Sequence, residues 1–189
     1  MTLMDQVLTP LTGPGLPVVH AMPAVPAAPG LYAVHAAGEV WEQLGLGAPP
    51  DDRPLYVGKA EDSLASRDVK THFSTGRTGA STLRRTLAAL LVENLDLRAQ
   101  PRNVETPNHF SNYGLENDGD RRLTHWMLEH LTLAVWPTSA ATDLVDLETQ
   151  VLDRLRPPLN LSKVTTPWRQ QVRAARKRMA DRAKQWSPS

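Results

Sequence analysis

The sequence has no cysteine, few aromatics and no long apolar run, and each of these gaps removes a class of protein. Without thiols there is no disulfide, no thiolate metal site and no cysteine nucleophile, a composition that fits a reducing cytoplasm. No stretch approaches the ~18 consecutive apolar residues of a membrane span, so a soluble chain without a membrane partner is expected. The start, MTLMDQVLTPLTGPG, lacks the basic head and apolar core of a signal peptide. Neither a Walker loop nor a dinucleotide-binding glycine pattern occurs, and no segment repeats. Aromatics make up 5% and apolar residues 41% of 189 residues, enough for one largely aliphatic core.

What the chain does have is charge in separate patches. Up to Lys163 it holds 14 basic and 19 acidic residues; beyond it, Arg169, Arg173, Arg176, Lys177, Arg178, Arg182 and Lys184 face Asp181 alone. A second cluster, Arg67, Lys70, Arg77, Arg84 and Arg85, faces only Asp68. On a chain of net charge +1, two such patches suit a polyanion gripped at defined places; the plainer alternative is solvated helix faces.

Prolines at 10, 14, 17, 23, 26 and 29 make residues 1–28 read as an arm or wrapping segment, without regular structure except one short strand at 16–19. Residues 29–163 read as the main domain and 164–189 as a basic terminal helix. Segments 31–35 and 54–57 are β-prone and form a hairpin across an acidic insertion, 39–52. Asp62 or Ser63 caps a helix running to about residue 73, and Ser81 caps a second, STLRRTLAALLVENL. Arg84 and Arg85 fall in its first turn, the positive end of the helix dipole, and so look placed for phosphate. Residues 98–122 read as a long polar loop. A short helix (LTHWMLEHL), a strand (TLAVW) and a helix over about 143–155, capped by Thr142, follow. The last helix carries a stripe of Trp168, Val172, Ala175, Met179, Ala183 and Trp186 that docks it on the domain. His125 and His130 are about 140° apart around a helix and do not make a zinc pair.

One acidic residue stands out. In DLVDLETQVLDRL, Glu148 falls inside the arc of Leu144, Leu147, Val151, Leu152 and Leu155. A carboxylate there must be paired, protonated or bound to a cation, and a salt bridge to an arginine competes with a metal role.

In order along the chain, these residues resemble the GIY-YIG endonuclease superfamily. Gly30-Leu31-Tyr32 is similar to its first motif, and Tyr56-Val57-Gly58, followed by Lys59 and Ala60, to its second. Arg67 resembles the family's helix arginine, His72 its frequent histidine, Glu148 its metal-binding glutamate and Asn160, in PPLN, its terminal asparagine. The resemblance runs from about residue 29 to 160. It implies an α+β fold, with a small mixed or antiparallel sheet flanked by helices, and a Mg²⁺-dependent endonuclease that hydrolyses DNA phosphodiester bonds, Mn²⁺ being able to substitute. Tyr32, Tyr56, Lys59, Arg67, His72, Glu148 and Asn160 are then the catalytic set and Glu148 the metal ligand. Lys70, Arg77, Arg84, Arg85, Arg173, Arg176 and Lys177 are expected on the DNA.

Two intervals depart from the family pattern. The tyrosine motifs are widely spaced, which the acidic insertion absorbs. Arg67 and His72 stand five apart where members with both often show four, which turns His72 away and puts Thr71 in its place. The chemistry agrees with the resemblance. Phosphodiester hydrolysis needs a water nucleophile, a base, a divalent cation and a neutraliser for the leaving oxygen. A tyrosine of ordinary pKa, about 10, is a poor base, so the Lys59 and Arg67 cations must favour its phenolate. Two other readings compete: a nucleic-acid-binding module of the same fold that cleaves poorly, and a protein-interaction domain using the terminal helix and the acidic insertion.

Overall fold

The computed structural model describes residues 2–65, 67–139 and 142–187. Its N-terminal segment packs on the sheet, as a wrapping segment would, but it carries a helix where no regular structure was expected. Helix α1 (Leu3–Leu11) starts at a reciprocal capping box: the Thr2 hydroxyl accepts the Asp5 N–H, and the Asp5 carboxylate accepts the Thr2 N–H. Pro10 lies in its last turn, and Val7 and Leu11 are fully buried. Strand β1 (Leu16–Pro17) and a single turn of helix, α2 (Val18–Ala21), follow.

Strand β2 (Gly30–Ala36) leads into the insertion, which holds the short helix α3 (Gly38–Gln43), and then into β3 (Tyr56–Ala60). Next come α4 (Arg67–Phe73), which begins later than its first possible cap, and α5 (Thr82–Leu90). The region expected as one long loop contains a two-stranded ribbon, β4 (Ala99–Gln100) with β5 (Gly114–Leu115), and the start of α6 (Asn117–His130). Asp118 and Asp120 in the first turn of α6 favour its positive end and start the helix before its apolar stripe begins. Strand β6 (Leu131–Pro137), α7 (Leu144–Leu155) and α8 (Arg169–Gln185) complete the chain. The cap of α7 is Asp143 rather than Thr142, its carboxylate accepting from the Val145 and Asp146 N–H groups.

The fold is α+β, with an antiparallel sheet in the order β1-β6-β2-β3. Strand alternation divides its two faces. Leu31, Ala33, Val57 and Ala134 pack with Val7 and Leu11 of α1 and Leu144, Leu147 and Val151 of α7. Tyr32, Val34, Ala60 and Leu133 face the larger core, with Val69, Leu87, Leu123, Met127 and Val172. Helix α8 docks as its stripe implied, burying Val172, Ala175, Met179 and Ala183. Trp168 donates to the Leu46 carbonyl at 2.7 Å and meets Trp41 edge-on, and Trp186 donates to Glu116 at 3.1 Å. Among the described residues no helix is long and apolar enough to cross a membrane.

Candidate active site

Tyr32 and Tyr56 leave neighbouring strands on the same face of the sheet, because Tyr32 pairs with Gly58 and Tyr56 with Val34. Their rings lie 6.3 Å apart. The glycine is required: a Cβ at Gly58 would collide with the Tyr32 phenol lying across it. Gly30, which opens the first motif, is required in the same way by the Trp136 carbonyl of the adjoining strand.

His72, in the last turn of α4, closes the group. Its Nε2 is 2.6 Å from the Tyr32 hydroxyl and its Nδ1 is 2.7 Å from Ser81 Oγ. The five-residue interval from Arg67 therefore does not turn His72 out of the site. Val69, His72 and Phe73, at i, i+3 and i+4, form the buried face of α4, and that face meets the sheet. Thr71 joins His72, Tyr32, Lys59, Glu61, Asp62 and Ala80 in lining a cleft of about 360 Å³. The side chain of Arg67 lies outside the described residues.

Burial, reinforced by the Arg84 and Arg85 charges, pushes the His72 imidazole down to about 4 from its ordinary 6.5. The ring is neutral in the folded protein at physiological pH. An unfolded histidine takes up its proton near 6.5 and the folded one only near 4, so this contribution to stability is fully present above 6.5 and is lost as pH falls towards 4. The expected loss across that interval is about 3 kcal/mol. Urea unfolding near neutrality and near pH 4 should show it, and His72→Gln should flatten the difference.

Ser81 also caps α5, its Oγ accepting the Arg84 N–H at 3.0 Å. The two arginines that follow are committed to the protein. Arg84 is fully buried: Nη2 donates to Asp120 Oδ2 and to Thr124 Oγ1, both at 2.9 Å, Nε to Thr78 Oγ1 at 3.1 Å, and Nη1 to the His72 carbonyl at 3.2 Å. A phosphate contact does not fit Arg84, because the helix terminus that favours an anion is here closed by Ser81 and the core. Arg85 is 7% exposed and donates to the Gly79 and Thr78 carbonyls and to Thr82 Oγ1. Burial, with Arg176 and Arg102 close by, pushes its guanidinium down to about 10. Asp120 anchors the same loop from α6, accepting the Gly76 N–H and the Thr78 hydroxyl.

Lys59 is paired with Glu61 at the mouth of the cleft. Glu148 is paired with a lysine where an arginine was the expected ion-pair partner. It is held by Lys163, Nζ to Oε2 at 2.6 Å, on a helix that covers the sheet face opposite Tyr32. Its side chain is 12% exposed, so one carboxylate stands partly desolvated at that edge. Among the described residues no three His, Cys, Asp or Glu side chains converge. Asn160 clasps the second tyrosine motif: Oδ1 accepts the Val57 N–H at 2.9 Å and Nδ2 donates to the Val57 carbonyl at 2.8 Å. Because β3 is an edge strand, these two bonds supply what a fifth strand would have supplied.

The expected nucleic-acid contacts are scattered around this centre. Lys70, Arg77, Arg173 and Lys177 are exposed and Arg176 is half-buried. Arg77 borders a hollow of about 200 Å³ that shares Ala80 with the tyrosine cleft, and Arg102 borders it from the other side. Arg102 and Gln100 in turn border a third hollow, about 600 Å³, formed by residues 103–112. Arg102 carried no local signal for a place beside the site, and Ser81 was legible only as a helix cap, with no sign of its bond to His72.

Residues 51–179 match a family model described as the GIY-YIG catalytic domain. The matched region contains the second tyrosine motif, His72, Glu148 and Asn160; the fold adds Tyr32 from the neighbouring strand. No curated protein and no solved structure matches the chain.

Proposed function

The chain belongs to the GIY-YIG catalytic-domain family, and from that premise we propose that it is a divalent-metal-dependent endonuclease hydrolysing phosphodiester bonds in DNA. The observation that carries the reading is the Tyr32–His72 bond at 2.6 Å, in a cleft that Lys59 also lines. Binding alone requires no such arrangement. Water attacks the phosphorus and gives its proton to Tyr32 acting as phenolate, the bond to the leaving oxygen breaks, and that oxygen takes up a proton from solvent in the cleft. Tyr56, beside it, orients the water or the phosphate. Lys59, which lines the cleft, favours the phenolate and offsets the charge that develops on the phosphate oxygens, a role that the family resemblance gives to Arg67 as well.

Glu148 is the residue that would hold the cation. Mg²⁺ accepts one or two carboxylates and keeps several waters, so the cation would take the place that Lys163 Nζ holds on Glu148, outside the lining of the tyrosine cleft. Bound there, the cation would supply charge neutralisation to a phosphate lying between the cleft and that helix. Asn160 positions the Tyr56 strand without touching substrate. Arg77 and Arg102, at the hollow adjoining the cleft, and Arg173, Arg176 and Lys177 of α8 hold backbone phosphates, the sequence-independent part of DNA affinity.

The test is incubation of the purified protein with supercoiled, nicked and single-stranded DNA, with Mg²⁺, Mn²⁺ or chelator. Cleavage that chelator abolishes is the expected result. Salt-sensitive binding without cleavage in either metal would leave a binding module of the same fold. Glu148→Gln keeps the side chain's shape and is expected to weaken metal binding by roughly tenfold or more, about 1.4 kcal/mol. Calorimetric Mn²⁺ titration reads this directly, and a variant that binds and cuts like the parent removes Glu148 from the mechanism.

A further inference from the structure

We propose that Ser81 is a positioning residue: it donates its hydroxyl proton to His72 Nδ1, fixing the imidazole with its one proton on Nε2, so that His72 donates to Tyr32 instead of accepting from it. The inference rests on the reading of Tyr32 as the reacting tyrosine.

It follows from the protons available. Ser81 is 0% exposed. Among the described residues, two polar atoms lie within bonding distance of its Oγ: the Arg84 nitrogen, 3.0 Å, and His72 Nδ1, 2.7 Å. The Arg84 N–H is a donor, so it uses a lone pair of Oγ and cannot receive the hydroxyl proton. Nδ1 is then the acceptor for that proton. The opposite arrangement, with Nδ1–H donating to Oγ, would leave the Ser81 hydroxyl proton enclosed without an acceptor, at a cost of about 1–3 kcal/mol, whereas Tyr32 lines the cleft and its own hydroxyl proton can turn towards it. A neutral imidazole carries a single proton. With Nδ1 accepting, the proton sits on Nε2 and points at the Tyr32 oxygen, 2.6 Å away.

A hydrogen bond donated to the tyrosine oxygen stabilises the ionised phenol more than the neutral one. His72 therefore acts as a fixed donor that supports the phenolate and keeps its own proton throughout. When Tyr32 ionises, its proton leaves to solvent in the cleft. The groups facing the imidazole fit this role: Tyr32 and Tyr56 stand against its ring, and Arg84 and Arg85 lie behind it, where further positive charge is unfavourable. Ser81 thus connects the cap of α5 to the chemistry at Tyr32, and a purely structural cap would have no effect on that chemistry.

Nitrogen NMR of imidazole-labelled protein reads the tautomer without substrate, with His72→Gln used only to assign the signal. The expected spectrum shows His72 protonated on Nε2. Ser81→Ala should mix or reverse the tautomers and raise the pH at which Tyr32 ionises, by roughly tenfold in ionisation constant. Ser81→Thr, which keeps both the cap and the hydroxyl, should restore both readings. Detection of the Nδ1–H form in the parent protein would overturn the proposal. So would a Ser81→Ala variant that folds with an unchanged tautomer and an unchanged Tyr32 titration, read by carbon NMR of labelled tyrosine. If Ser81→Ala fails to fold, the parent and Ser81→Thr spectra still decide. Absence of DNA cleavage would sink the nuclease reading and leave these spectra to decide the role of Ser81.

Discussion

Replacing Tyr32 by phenylalanine is expected to slow single-turnover DNA cleavage by about 10²- to 10⁴-fold, the loss typical of a missing general base, while the protein stays folded. Tyr32 is 2% exposed and lies across Gly58, and phenylalanine keeps that ring and its contacts. What is removed is the oxygen bonded to His72. The unpaired imidazole nitrogen costs about 1–3 kcal/mol, so the melting temperature falls and the assay belongs well below it, at saturating protein. Tyr56→Phe should impair the rate less than Tyr32→Phe, because its oxygen positions and does not take the proton. A Tyr32→Phe enzyme cutting within a few-fold of the parent would make that tyrosine scaffold and leave the nuclease without its proposed base.

The second large effect is on stability. Arg84→Ala is expected to cost about 3–5 kcal/mol, the consequence of removing one partner of a fully buried ion pair. Asp120 would be left charged in the core, with Thr78 and the Gly76 N–H still bound to it. The loss would reach the site as well, since Arg84 holds the carbonyl of His72. Urea unfolding measures it. In the double variant with Asp120→Ala the two costs should fall well short of adding, because the second change removes the charge that the first had stranded. If Arg84→Ala instead leaves stability unchanged and flattens the salt dependence of DNA binding, the arginine is a phosphate contact after all.

Much of the site could be read along the chain because its strongest signals are short-range. The tyrosine motifs are β-prone runs bounded by turns, and two such runs separated by turn residues pair as a hairpin whatever lies between them. Glu148 was visible as a carboxylate on an apolar helix face, but a helical wheel gives a direction and no partner. The partner is Lys163, presented from a left-handed turn after PPLN at φ 65°. Arg84 shows the same limit: its place at the positive end of a helix was legible, whereas Asp120, 36 residues away, was not. His72 was readable by a different ruler. Its interval from Arg67 pointed away from the site, while its register with Val69 and Phe73 pointed inward, and the buried face decided. At the N-terminus the density of prolines masks the threonine-to-aspartate capping spacing of Thr2 and Asp5, which is the local signal for α1.

The clasp of Asn160 on Val57 spans 103 residues, so it also sets an order of events during synthesis. A growing chain that already holds both tyrosine motifs, His72 and the whole of β6 still presents β3 as an open edge until residue 160 has emerged. An open edge is where another chain can add as a strand. Competence thus arrives late: the tyrosines are made in the first third of the polypeptide, and the residue that closes their strand comes in the last fifth. A chain that has just completed β6 therefore has its paired tyrosine motifs with one edge still open, and on the proposed reading it still lacks both Glu148 and the residue that closes the strand of Tyr56.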